Sequence, residues 1–198
     1  MRVAILDYGA GNLHSLAKAV NAAGAEARIE SDPSAALRAD ALMLPGVGAF
    51  ASAVQVIAPH RDELTAALRA GLPCLGICLG MQLLFDTSEE GPGSGLGIIP
   101  GHVRKLRAKR VPQIGWNSIE EASDSLFEVA SLSTAYFANS YVCEPEDSTA
   151  AIAWATHDGD RFVAAARSGH VVGVQFHPEK SSAAGCDFIS AFLDGARR

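Results

Sequence analysis

The sequence predicts an α/β fold: an open, mostly parallel sheet with helices on both faces, extended by antiparallel or mixed strands. Three observations carry this. Apolar runs of strand length alternate with stretches of helical spacing through the first 87 residues. Glycine-rich loops follow two of those runs, where a parallel sheet hands its strands over to helices. From residue 88 the pattern turns to short strands and turns.

Arg2-Val3-Ala4-Ile5-Leu6-Asp7-Tyr8 reads as a buried parallel strand. Gly9-Ala10-Gly11-Asn12 turns the chain. Leu13, Leu16, Ala17 and Val20 then fall at helical spacing, and Gly24 ends that helix. Residues 25–30 form a second strand candidate. Asp32 caps a short helix that Pro33 opens. Ala41-Leu42-Met43-Leu44 is a third strand, and the loop Pro45-Gly46-Val47-Gly48-Ala49-Phe50 follows it. Helices are expected near 51–57 and 60–70. An apolar strand at Pro73-Cys74-Leu75 then leads to a corner and a helix over Met81-Gln82-Leu83-Leu84-Phe85.

A glycine-rich loop over residues 88–95 opens the second half. Strands are expected at 97–106, 114–120, 135–143, 150–156 and 162–167, with His157-Asp158-Gly159-Asp160 as a hairpin turn. Residues 171–176 make a last strand. Residues 183–195 form a closing helix with Phe188, Ile189, Phe192 and Leu193 on its apolar face. No repeat, linker or low-complexity segment interrupts the chain, so residues 1–198 read as a single domain.

Composition narrows the function classes. A net charge of −6 argues against bulk attraction to nucleic acid. The one basic run, residues 104–110, reads as a solvated hairpin or loop. The four cysteines, at 74, 78, 143 and 186, lack metal-site spacing. Few cysteines and no secretory signal point to a reducing, cytoplasmic setting. The apolar runs fall short of a membrane span. No metal or cofactor is expected.

The chemistry concentrates around Cys78, in Gly76-Ile77-Cys78-Leu79-Gly80. A nucleophile between two glycines at a strand-to-helix corner has the geometry of a nucleophile elbow. A Cβ on either glycine would collide with the adjoining element, and the turn would lift the sulfur into the open above the sheet. The following helix would point its N-terminus at that sulfur and favour thiolate. The candidate base is His177, at the end of the strand 171–176, where Pro178 stops further pairing. Glu179 lies two residues on, so an extended backbone would put it beside the imidazole, to fix its tautomer. Alone, Cys78 reads equally as a small buried cysteine, and His177 more readily as structural. Their combination points to nucleophilic catalysis.

Beside a thiolate, Gly46, Val47 and Gly48 acquire a use. Glycines let backbone N–H groups turn inward, and the N–H groups of Val47 and Leu79 are the expected oxyanion donors. The corresponding reaction is attack on a carboxamide carbon, release of ammonia with a proton from His177, and hydrolysis of the thioester.

These residues resemble a known family. Gly-Ile-Cys-Leu-Gly-Met-Gln at 76–82 and His177-Pro178-Glu179 look like the class I (triad) glutamine amidotransferases. Residues 7–13 (Asp-Tyr-Gly-Ala-Gly-Asn-Leu), 45–50, Gly115-Trp116-Asn117 and 176–181 (Phe-His-Pro-Glu-Lys-Ser) are similar to the glutaminases of imidazole glycerol phosphate synthase in histidine biosynthesis. The resemblance spans nearly the whole chain. It implies a Cys78-His177-Glu179 triad and L-glutamine held near Gln82, Glu90, Ser140 and Tyr141. It also implies a heterodimer with a (β/α)₈-barrel cyclase, which receives the ammonia, with Asn12, Trp116 and Lys180 at the interface. Taken singly, Trp116 reads as core, Asn12 as a helix cap and Glu90 as a solvated charge. The chain departs from the family pattern at Gln113-Ile114, where His-Met is common, and at Asn139, where His is common. Two alternatives remain: the glutaminase of another ammonia-using synthase, and a non-catalytic scaffold of the same fold.

Overall fold

The computed structural model describes residues 1–9 and 13–197. Strands β1 (Arg2–Leu6), β2 (Glu26–Glu30), β3 (Ala41–Leu44) and β4 (Cys74–Ile77) alternate with helices α1 (Leu13–Ala22), α2 (Pro33–Ala36), α3 (Phe50–Ile57) and α4 (Arg61–Arg69). Helix α5 (Leu79–Leu83) follows β4 with one residue, Cys78, between them. Then come β5 (Thr87–Ser88), β6 (Gly101–Lys105), β7 (Gln113–Ser118), α6 (Ser125–Ala130), β8 (Thr134–Asn139) and β9 (Tyr141–Pro145). The chain closes with β10 (Ala151–His157), β11 (Asp160–Ser168), β12 (Val171–Val174) and α7 (Ser182–Ala196).

Among the described residues, ten strands join in one sheet, ordered β2-β1-β3-β4-β12-β11-β9-β6-β5 with β10 pairing β11. β2, β1, β3, β4 and β12 are mutually parallel, and β11, β9 and β6 continue as an antiparallel wing. The mixed α/β class expected from the sequence is the one observed. Period-2 alternation divides each inner strand between two cores. Val3 and Ile5, Ala41 and Met43, and Leu75 and Ile77 pack with α1 and α7. Ala4 and Leu6, Leu42 and Leu44, and Cys74 pack with α3, α4 and α5. Both faces being covered, the buried positions of these strands are apolar on both sides.

The wing departs from expectation at two places. The run 135–143 is not one strand. It breaks at Ser140 into β8, which pairs with β7 in a separate two-stranded sheet, and β9, which joins the main sheet. Helix α6 lies between two expected strands, in a half read as short strands and turns. Asp124 caps it, accepting from Leu126 N at 3.0 Å, and Leu126, Phe127 and Ala130 are buried. The expected turn is present: Asp158 and Gly159, with φ of 48° and 87°, link β10 to β11. The basic run is less solvated than its charge suggested. Arg104 is buried and ion-paired to Glu144 and Asp160. The N–H of Arg107 donates to Asp160 at 2.6 Å and that of Arg110 to Asp158 at 3.0 Å. Among the described residues no helix is long and apolar enough to cross a membrane.

Candidate active site

Cys78 sits at the carboxyl end of β4 with φ 51° and ψ −103°. A non-glycine residue holds such a backbone only where its surroundings impose it. Here packing imposes it. A Cβ on Gly80 would lie 1.9 Å from Leu44 O, and one on Gly76 would lie 2.6 Å from Gly80 O. The collisions expected of the Gly-x-Cys-x-Gly spacing are therefore real. Gly46 presses in from the neighbouring loop, where a Cβ would meet Ile77 O at 2.2 Å and Leu79 N at 2.5 Å. The N–H of Cys78 donates to Val174 O at 2.7 Å, which ties the corner to the strand that delivers His177.

The sulfur is not out in the open. Cys78 is only 5% exposed, because residues 138–141 roof the corner. It borders a cleft of about 160 Å³, below the range typical of drug-sized ligands. Val47, Gly48 and Leu79 border the same cleft, as do Gln82, Glu90, Ser140 and Tyr141. Every residue singled out for oxyanion or substrate contact except Gly46 thus lines one cavity, and Gly46 packs against its floor.

His177 is pinned before its side chain is considered. Its N–H donates to Tyr136 O at 2.8 Å, and its carbonyl accepts from Ser181 Oγ at 2.6 Å. That hydroxyl accepts in turn from Tyr136 N at 2.9 Å. Glu179 reaches the imidazole from a 3₁₀ turn, Pro178–Lys180, rather than from the extended backbone expected. Pro178 supplies the fixed φ that starts the turn. Glu179 Oε1 lies 2.9 Å from His177 Nδ1, and both side chains are nearly buried. Nε2, on the other edge of the ring, is buried and completes no hydrogen bond of standard geometry. The Cys78 sulfur beside it is nevertheless close enough to act on its charge. Burial alone would lower the His177 pKa. The polar Cys78 sulfur beside Nε2 and the Glu179 carboxylate hydrogen-bonded to Nδ1 outweigh burial and raise it from 6.5 to about 9. Slack acid–base contacts of this kind are common before substrate binds.

Two of the cleft residues have definite local partners. The Glu90 carboxylate accepts from Phe50 N at 2.9 Å, so it caps the first turn of α3 and is no free loop charge. Gln82 Nε2 points toward Tyr141 O at 3.4 Å and Gln175 Oε1 at 3.5 Å. Trp116 is not core: it is 57% exposed on β7, edge-on to Tyr136 at 6.4 Å between centroids. Lys180 Nζ lies 6.0 Å from the Tyr136 ring. Asn12 lies outside the described residues. Sequence reasoning assigned no role to Gln175 or Tyr136, and named Ser181 only as the end of the motif at 176–181. A signal existed for Gln175, a polar residue in an apolar strand at the same parity as His177.

The sequence profile of the glutamine amidotransferase class-I family matches residues 4–194. The imidazole glycerol phosphate synthase subunit HisH of Corynebacterium diphtheriae is 42% identical over 206 residues, covering 98% of each chain. Proteins of the same description from Methanothermobacter thermautotrophicus and Zymomonas mobilis are each 44% identical, covering 97% of this chain and 98% and 95% of theirs. A crystal structure of a glutamine amidotransferase superposes with a TM-score of 0.79 at 20% identity, covering 99% of both chains. The structure of PurLQS from Thermotoga maritima gives 0.76 at 18%, covering 98% of both. The chain belongs to the class I glutamine amidotransferase family.

Proposed function

We propose that this chain is the glutaminase subunit of imidazole glycerol phosphate synthase, hydrolysing L-glutamine and passing the ammonia to a cyclase partner in histidine biosynthesis. The observation that carries it is the His177-Glu179 pair, buried beside a cysteine whose strained backbone faces a small cleft. Full-length relatives that share one subunit description favour this partner over another ammonia-using synthase. The intact Cys78, His177 and Glu179 set weighs against a non-catalytic scaffold.

In this reading residues 1–198 act as one cytoplasmic amidotransferase domain. The Cys78 thiolate attacks the side-chain carboxamide carbon of glutamine, near Gln82, Glu90, Ser140 and Tyr141. The N–H groups of Val47 and Leu79 take the oxyanion, with Gly46 and Gly48 permitting the loop's close approach. His177, its orientation fixed by Glu179, gives its proton to the leaving nitrogen, and ammonia and a thioester result. His177 then takes a proton from water, which attacks the thioester and releases glutamate and the free sulfur. The partner, a (β/α)₈ barrel, docks in a heterodimer over the exposed Trp116, and the family resemblance adds Lys180 and Asn12 as interface residues.

The test is Cys78→Ala in the complex with the cyclase. Glutamine-dependent synthesis should vanish while synthesis from added ammonium salt persists. Unchanged glutaminase turnover in the variant would overturn the assignment.

A further inference from the structure

Gln175 is fully buried between the sheet and the elbow. Strand alternation explains why it arrives there. Val172, Val174 and Phe176 enter the core under α1 and α7. The odd positions face α5, since a Cβ on Gly173 would meet Met81 Cγ at 2.6 Å. Gln175 and His177 continue that parity, so both project toward the corner that holds Cys78.

A buried amide is costly unless its polar ends are satisfied. Both ends of Gln175 are satisfied, and by residues of the site. Its Nε2 donates to Cys78 Sγ at 3.4 Å, and its Oε1 accepts from Gln82 Nε2 at 3.5 Å. Gln82 borders the cleft and also donates to Tyr141 O at 3.4 Å. The third polar neighbour of the sulfur, Ala138 O at 3.9 Å, is an acceptor and suits only the S–H form. Gln175 is the uncharged donor. Its bond survives the transfer of the sulfur's proton and strengthens as the sulfur becomes anionic. The chain Gln82–Gln175–Cys78 also gives the cleft wall a direct connection to the nucleophile.

We infer that Gln175 is a positioning residue that holds the Cys78 sulfur toward His177 through its Nε2 and senses cleft occupancy through Gln82. The inference rests on the glutaminase reading above and adds to it a determinant of the nucleophile's reactivity.

The test uses the full chain carrying Cys186→Ser, because Cys186 is the exposed cysteine, Cys74 and Cys143 are wholly enclosed, and Cys78 borders the cleft. Alkylation of Cys78 by iodoacetamide is followed against pH, beside glutaminase kinetics with the cyclase. In Gln175→Met, similar in length but without a donor, alkylation at neutral pH should slow roughly ten-fold, the loss expected for one hydrogen bond to an anion. Its rise with pH should move to higher pH. kcat should fall by a similar factor while KM changes less than about two-fold. Gln175→Glu keeps the shape but exchanges donor for acceptor, and should slow alkylation further. A folded Gln175→Met or Gln175→Glu chain with the parent's alkylation profile and kcat overturns the inference, as does a fall in kcat matched only by a loss of folded protein. A parent that never hydrolyses glutamine, yet shows Gln175-dependent alkylation, refutes the function and leaves this inference standing.

Discussion

Glu179→Gln separates the charge of the His177 partner from its shape. The wild-type pair is 2.9 Å apart, with side chains 2% and 8% exposed. Glutamine's Oε1 can still accept from Nδ1, so the geometry survives and the negative charge does not. A hydrogen bond to a charged partner contributes about 2 kcal/mol, or roughly 1.5 pKa units. His177, raised to about 9 in the folded protein, should therefore drop by about that much. The consequence for stability has a definite sign. A histidine whose folded pKa lies above its unfolded value stabilises the fold fully below the unfolded pKa, near 6.5. The contribution fades as pH rises toward 9 and is gone above it. Glu179→Gln should consequently be less stable than wild type by about 2 kcal/mol at low pH, with the pH-dependent part of the gap closed above the wild-type pKa. Urea unfolding below pH 6.5 and above pH 9, with imidazole titration by NMR, measures both quantities. A variant whose histidine titrates where the wild type does, or whose stability gap is the same at both ends, would refute the reasoning.

Three further outcomes follow from packing. Gly80→Ala and Gly46→Ala would set a Cβ 1.9 Å and 2.2 Å from backbone carbonyl oxygens, whereas at Gly173 the nearest atom is the flexible Met81 side chain at 2.6 Å. Thermal unfolding should show the first two destabilised by about 3 kcal/mol or more and Gly173→Ala by roughly 1, and equal losses would count against backbone contact as the cause. Arg104→Met leaves Asp160, 9% exposed, without its buried partner, and should cost about 3–5 kcal/mol in urea unfolding. A neutral result there would mean that Arg104 behaves as the solvated charge its sequence neighbourhood suggests. Trp116→Ala removes a ring that is 57% exposed, so the isolated subunit should keep its stability. Calorimetric titration with the cyclase should show affinity reduced at least ten-fold, and unaltered affinity would remove Trp116 from the proposed interface.

The parallel half of the sheet was legible because its rules are local. An apolar run such as Ala41–Leu44, buried on both faces, has few readings besides an inner strand. The wing was less legible because its boundaries are settled by partners distant in sequence. Nothing within residues 135–143 says that β8 must leave the main sheet to pair with β7 while β9 stays beside β6 and β11. Helix α6 had a cap at Asp124 and a buried Leu126 and Phe127, but six residues give too short a stretch for helical periodicity to outweigh the surrounding strands.

The same division runs through the site. Glycine spacing foretold the strain at Cys78, because the collisions occur within a few residues of chain. Exposure was misjudged, because the roof over the sulfur comes from residues 138–141, sixty positions downstream. His177 was found as a residue type at a strand end, but the clamp that holds it comes from Tyr136 and Ser181, whose hydrogen bonds no local pattern encodes. Gln175 lies between the two cases. Its parity with His177 is readable in six letters of sequence. Its meaning requires knowing that β12 lies against β4 in parallel, with Val174 beside Ile77, which brings the next residue of each strand, Gln175 and Cys78, to the same level of the sheet. Register across the sheet, rather than spacing along the chain, converts a polar residue in a strand into a partner of the nucleophile.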